Sequence, residues 1–154
     1  SIISTGHNRN VVEEITIQTQ ERYQILCITE QVEKIVSESN VVDGLVLVNP
    51  MHITASCYVN DLERGLHQDI MEWLEKNAPY HGKDGVNGPE YQHHRTGEDN
   101  GDAHLKRQLL GQQVTMPVHN GRLHLGTWEQ IHYAEFDGQR PKRILVKVIG
   151  IQQE

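Results

Sequence analysis

Aromatic residues are scarce in this 154-residue chain: one Phe, two Trp and five Tyr. Any core must therefore be built mainly from Val, Ile and Leu. Cysteine is nearly absent as well. Cys27 and Cys57 lie in apolar, strand-like surroundings without CxxC spacing, which reads as two buried thiols in a reducing compartment rather than a disulfide framework or a zinc knuckle. Positive charge is in deficit, with a net charge of −7. That balance excludes nucleic acid, whose binding rests on Lys and Arg neutralising phosphates, and an anionic membrane surface. No run approaches the eighteen apolar residues of a membrane span, and Ser1–Asn10 lacks the apolar core of a signal peptide. The expected location is cytoplasmic. Walker, GxGxxG and GxSxG motifs are absent too.

What the chain has in excess is histidine, ten in all, and nine of them fall between His52 and His132. The densest stretch, Tyr91 to Lys106, packs His93, His94 and His104 with Glu98, Asp99 and Asp102 into residues too polar for a core. Histidine is the commonest metal ligand and the usual acid or base near neutral pH.

The length fits one domain, 1–154. Val11–Thr19 ends in period-two alternation and reads as a half-buried strand, with Gln24–Cys27 a short second one. Thr29 is placed to cap a helix from Glu30 to Ser39 whose apolar face is Val32, Ile35 and Val36. Gly44–Val48 and Thr54–Val59 read as neighbouring strands broken at Asn49-Pro50. Asp61 starts a helix over Leu62–Lys76, with Leu66, Ile70, Trp73 and Leu74 as its buried stripe. Residues 78–101 form a long loop of the functional kind. Ala103–Leu110 is a short helix ending at Gly111. Gln113–Val118 leads through Asn120-Gly121, a tight-hairpin signal, into Arg122–Leu125. Gln130–Phe136 and Ile144–Ile149 read as a last pair of strands. Strands at both ends with helices between describe an α+β domain on a mainly antiparallel sheet.

His93 and His104 flank the Gly97–Gly101 bend, and closing so short a loop is cheap, so both can reach one ion while Asp99 or Asn100 orients them. Solvated, inert loop histidines are the competing reading. Adjacent His93 and His94 point opposite ways, so only one can ligate. His52, in Pro50-Met-His52-Ile-Thr54-Ala-Ser56, stands where a strand end delivers side chains to a site, with Thr54 and Ser56 as hydroxyls. His52 as third donor would complete the set His52, His93 and His104 with an open position, as in catalytic zinc, while a lone structural histidine is the competing reading of His52. Asn60, Asp61 and Asp69 surround the next helix. Asp69 is a candidate to orient a ligand histidine, and Asp61 equally a simple helix cap. Gly126-Thr127-Trp128-Glu129 supplies a hydroxyl, an indole and a carboxylate for a pocket, although Trp128 equally suits a core. Arg140, Lys142 and Arg143 form the one dense basic cluster, suited to phosphate or to an ordinary solvated turn.

Several of these motifs, in this order, resemble the YjbQ family, whose members are also described as secondary thiamine-phosphate synthase enzymes. They are His52-Ile-Thr54-Ala-Ser56, Asn60-Asp61, Asp69, Tyr91-x-His93 through Asp99-Asn100 to Ala103-His104-Leu-Lys, Leu110-Gly111, Pro117-Val118, Asn120-Gly121-Arg122-Leu123, Leu125-Gly-Thr-Trp-Glu129 and Glu135-Phe-Asp-Gly138. The resemblance implies a barrel-like, mainly antiparallel sheet with two to three helices, a homotrimer, and a divalent metal, zinc being the expected species. It also implies thiamine-phosphate synthase-like activity on small phosphorylated molecules. In that reaction a pyrimidine pyrophosphate loses pyrophosphate and a thiazole nitrogen attacks the resulting cation. Asp69, Glu129 and Asn60 are then the expected catalytic groups, and Thr54, Ser56, Arg140 and Arg143 the expected ligand-binding ones. Three departures stand out: Glu129 for the usual Gln, Gln139 for the Pro before Arg140, and an insertion-like stretch over His81–Glu90. A non-catalytic metal or small-ligand binding module and a metal-dependent phosphate-ester hydrolase are the competing readings.

Overall fold

The structure, a computed structural model, describes residues 7–81 and 91–152; nine of the ten insertion-like positions therefore lie outside the described residues. Eight strands and three α-helices follow in the order β1 (His7–Ile17), β2 (Gln24–Cys27), α1 (Thr29–Glu38), β3 (Val41–Pro50), β4 (Ala55–Asn60), α2 (Arg64–Asn77), α3 (Gly101–Leu110), β5 (Val114–His119), β6 (Arg122–Leu123), β7 (Gln130–Glu135) and β8 (Lys142–Gln152), with a single 3-10 turn at Gln92–Thr96 before α3. The strands form two sheets, β1-β8-β3-β5-β6 and β2-β7-β4, and every pairing is antiparallel. The architecture is the expected α+β class, three helices on a curled, half-barrel antiparallel sheet. Where β3 and β8 cross, Gly44 faces Gly150. A Cβ on Gly44 would sit 2.0 Å from the Ile149 carbonyl oxygen, and one on Gly150 2.2 Å from that of Asp43. Only glycine permits so close an approach of two backbones.

Strand alternation sorts side chains into layers. Val46, Val48, Ile144, Val146 and Val148 of the larger sheet meet Cys57, Ile131 and Tyr133 of the smaller one, and Val32, Ile35 and Val36 of α1 close this core. The smaller sheet turns its second face to α2 and α3, where Tyr58, Ala134 and Phe136 pack with Leu74 and Ala103. The hairpin at Asn120-Gly121 has φ of 53° and 75° at its two central residues, as a two-residue primed turn requires.

Several expectations are corrected. The Thr54–Val59 and Gly44–Val48 segments are not paired, because β4 and β3 belong to different sheets; likewise β7 and β8. Pro50 does not break β3: it pairs with Ile144 beyond the last β5 contact, where a missing N–H is tolerated. Thr29 does not cap α1 but is its first residue, and its hydroxyl accepts the Ile131 N–H at 2.9 Å. Glu63 rather than Asp61 caps α2, accepting from the Leu66 N–H. Trp73 is half exposed, so the buried side of α2 rests on Leu74 with Ile70 and Met71 beside it.

A buried ion pair ties the two sheets together. Lys142 of β8 and Glu135 of β7 are 2% and 0% exposed and in direct contact. Lys142 Nζ also donates to the Thr54 hydroxyl at 3.1 Å and the Asp137 carbonyl at 3.0 Å, using all three protons. Glu135 accepts from the Tyr133 hydroxyl at 2.7 Å and the Asp137 N–H at 3.2 Å. Lys142→Met would leave that carboxylate uncompensated, so it should cost about 3–5 kcal/mol of stability. Adding Glu135→Gln should restore part of the loss; urea denaturation that showed no loss in the single variant would refute this account.

Candidate functional site

Lys142 of the ion pair lies at the floor of a cavity of about 360 Å³. Four segments build its walls: the β3–β4 connection (His52, Ile53, Thr54), the 3-10 turn (His93, Thr96), the entry to α3 (Glu98, Asn100, His104) and the β7–β8 turn (Arg140, with Lys142 below). The local reasons are plain. Gly97, at φ 90°, ends the 3-10 turn and lets the chain double back, so that His93 and His104 meet with ring centres 4.4 Å apart. His94 is turned the other way: its Nε2 accepts the Gly101 N–H at 3.0 Å and anchors the start of α3. As expected of adjacent residues, only His93 reaches the cavity.

Burial and neighbouring charges disfavour protonation of two of the cavity imidazoles, His52 and His104. Burial lowers the pKa of His104 below its ordinary value, and His93 beside it adds to the effect more than Asp137 opposes it. Burial also lowers that of His52, reinforced by the Lys142 ammonium. His52 Nε2 accepts the Arg143 backbone N–H at 3.1 Å, which commits its one lone pair and leaves the proton on Nδ1. Asp137 accepts from Asn100 Nδ2 at 3.0 Å and from Arg140 at 2.7 Å. Arg140 is therefore a tethered cation on the rim, its side chain 63% exposed. The Asn100 Oδ1 atom is buried without a partner. Asp99 does not orient a histidine; it holds Arg22, at 3.3 Å, whose guanidinium keeps its carboxyl below the usual range.

His52, His93, His104, Thr54 and Arg140 are thus brought together as expected, but the other candidates are elsewhere. Asn60 pairs with Gln130, so Asn60 and Glu129 lie at the far end of β4 and β7, about 20 Å from Thr54 at the rise of an extended strand. Glu129 closes its own turn by accepting the Gly126 N–H at 2.8 Å, and Trp128 is 74% exposed. Asp69 is exposed on α2, where alternate turns of the helix face water. Ser56 is fully buried and directed to α3, donating to the Arg107 carbonyl at 3.4 Å. Arg143 sends its side chain across the outer sheet face to Glu14 at 3.5 Å. Nor does a three-histidine metal site assemble. Among the described residues no three His, Cys, Asp or Glu side chains converge on one point, and the His52 lone pair is already engaged. Gln139 has φ 77°, a value closed to the proline that the resemblance puts there, so the turn presenting Arg140 is built differently.

Glu135 is not a site residue in the sequence reading, and Asn100 enters it only as an alternative to Asp99 for orienting the histidines. Alternation along β7 was a usable signal for the first: Glu135 shares a face with Ile131 and Tyr133, and a carboxylate there requires a buried cation. Burial of Asn100 had no such signal.

Residues 13–151 match the family model described as UPF0047 protein YjbQ-like. A UPF0047 protein of Archaeoglobus fulgidus is 46% identical over 136 residues, covering 88% of this chain and 99% of its own. YugU of Bacillus subtilis, also a UPF0047 protein, is 30% identical over 88% of this chain and 97% of its own. Among solved structures, a YbjQ-like protein of Sulfolobus solfataricus superimposes with a TM-score of 0.82 at 32% identity, covering 94% of this chain and 99% of that one. No helix among the described residues is long and apolar enough to cross a membrane.

The electrostatics can be checked by following the imidazole resonances with pH. His52 and His104 should titrate below the ordinary histidine value of about 6.5. Replacing His93 by Ala should raise the His104 midpoint, because His93 opposes protonation of its neighbour; an unmoved or lowered midpoint would contradict the coupling.

Proposed function

The chain belongs to the YjbQ-like UPF0047 family, and from that premise we propose that its cavity binds a small phosphorylated molecule, in a cytoplasmic homotrimeric enzyme with thiamine-phosphate synthase-like activity. The observation that carries this reading is the imidazole pair His93–His104 beside Arg140 in one cavity. A phosphate entering there meets a guanidinium in fork geometry. It also meets two imidazoles whose ring N–H groups can donate to its oxygens.

For loss of pyrophosphate from a pyrimidine pyrophosphate, the useful contribution is stabilisation of negative charge on the departing group. Arg140 and the His93–His104 pair supply it from one side. The His52 Nδ1–H and the unpartnered Asn100 carbonyl oxygen offer a donor and an acceptor for orienting the organic part. Lys142 takes no direct part, because its three protons are already placed; it fixes Thr54 and the β7–β8 turn instead. The expected three-histidine zinc site does not fit these residues, and no step here runs through an ion.

The trimer rests on the family resemblance and on the uncovered face of the larger sheet. Val12, Leu45 and Ile149 are 49%, 48% and 44% exposed there, and Ile149, Leu45 and Pro117 lie abreast across three strands, with the polar Asn10 beside them on β1. An apolar row of this kind on one sheet face is what a subunit contact covers.

Calorimetry with inorganic pyrophosphate tests the site. His104→Ala and Arg140→Ala should each weaken binding, by about tenfold or more if a charge-assisted contact of roughly 1.5–3 kcal/mol is lost. Glu129→Gln should leave it unchanged, because that residue is at the other end of the sheet. Absence of pyrophosphate binding by the native protein would overturn the phosphoryl reading and favour a binding module for some other ligand. Light scattering should give three times the chain mass of 17.6 kDa, and Leu45→Asp with Ile149→Asp should reduce it to one; a monomeric native protein would refute the assembly.

A further inference from the structure

A second cavity, of about 540 Å³, lies between α2, α3 and the β1–β2 loop, and its volume is that of a small-molecule site. Lys106 lines it, whereas His104 lines the phosphoryl pocket. Two residues apart on a helix is about 200° of rotation, so the two cavities open on opposite sides of α3. We propose that this second cavity is a separate binding site for an organic cation with an apolar body, an alkylammonium ion in its simplest form.

The walls are fixed from behind. Lys106 is 1% exposed, and its ammonium is held by Asp102 at 2.6 Å and Glu75 at 2.7 Å, 4.6 Å from the centre of the Tyr23 ring. The Tyr23 hydroxyl donates to the same Asp102 oxygen at 2.6 Å. Tyr80 stands nearly perpendicular to Tyr23, ring centres 6.4 Å apart. Its backbone N–H donates to Glu75 at 2.8 Å and its hydroxyl to Asp99 at 3.3 Å. Met71 and Tyr23 both pack on the Leu74 and Phe136 cluster. Two phenol rings and a thioether therefore form an apolar wall that is already ordered, so a ligand immobilises little by binding there.

Charge selects the occupant. The Lys106 ammonium is already offset by two carboxylates, and Arg22, 4.4 Å over the Tyr80 ring, by Asp99 and Asp137. Two further carboxylates, Glu21 and Glu72, line the cavity. Among the described residues neither has a cationic partner; Glu72 accepts only the neutral Gln68 amide, at 3.0 Å. An anion entering here meets uncompensated negative charge. An ammonium brings donors and no acceptor, which matches Glu21 and Glu72, while its carbon body covers Tyr23, Met71 and Tyr80. The tyrosine rings add their own attraction for a cation.

Three probes of equal chain length but different charge test the site: hexylammonium, 1-hexanol and hexanoate, each titrated into tag-free protein at physiological salt and followed by NMR. Hexylammonium should move the Met71 methyl and the Tyr23 and Tyr80 ring resonances and leave those of His93 and His104 in place. The alcohol should bind at least about fivefold more weakly, and hexanoate more weakly still. Glu21→Gln combined with Glu72→Gln should weaken hexylammonium about fivefold, the upper end for solvated ion pairs, and leave 1-hexanol unchanged. Both positions are exposed, and circular dichroism shows that the variant is folded. If hexylammonium moves none of the three resonances, if 1-hexanol binds as tightly, or if the double variant binds hexylammonium as the native protein does, the site does not exist. Pyrophosphate binding by the histidine cavity stands or falls separately.

Discussion

The pairing of Lys142 with Glu135 is the contact on which the rest of the molecule depends. Among the described residues the two sheets share no hydrogen-bonded strand pair, so their relative position is set by the apolar core and by this buried pair. An ion pair inside a protein is a poor source of stability, because desolvating two charges offsets their attraction. Its value here is geometric. Each proton of the ammonium has an acceptor, and those acceptors belong to Thr54, which lines the cavity, and to Glu135 and Asp137 behind it. A hydrophobic replacement could fill the volume but could not fix three polar groups in place.

Above the cavity floor, histidines divide into roles that their neighbours decide. His94 is spent on the α3 backbone and His52 on the Arg143 N–H, while His93 and His104 face each other in the open. His67 and His132 meet on the opposite face of the smaller sheet. The same side chain is thus an anchor, an acceptor or an available donor group according to what already occupies its lone pair. Carboxylates follow the same rule: Asp99 and Asp137 are committed to arginines.

Local pattern was enough for most elements. Period-two alternation marked β1 and the short β2, the i, i+3, i+4 face marked α1, and Asn120-Gly121 marked the hairpin, since each depends on residues only a few positions apart. The concentration of imidazoles from Tyr91 to Lys106, and His52 at a strand end, identified half of the cavity before any coordinates. The failures share one cause. Thr29 and Asp61 have the right chemistry for caps, but whether a side chain caps depends on where the chain enters the helix. Trp73 has the right spacing for a core face, but exposure depends on what lies opposite.

By itself, then, the sequence determined the element types, the α+β class, the family and the residues that carry chemistry, because these follow from short-range periodicity and from motif order. Tertiary structure alone decided that β3 and β4 part into different sheets, that Asn60 and Glu129 stand a strand length from Thr54, and that His67 finds His132. Such meetings depend on which sheet each strand joins. That choice is made by burial summed over the whole core and by a few buried polar contacts, of which Lys142 with Glu135 is the chief, and no local spacing encodes it.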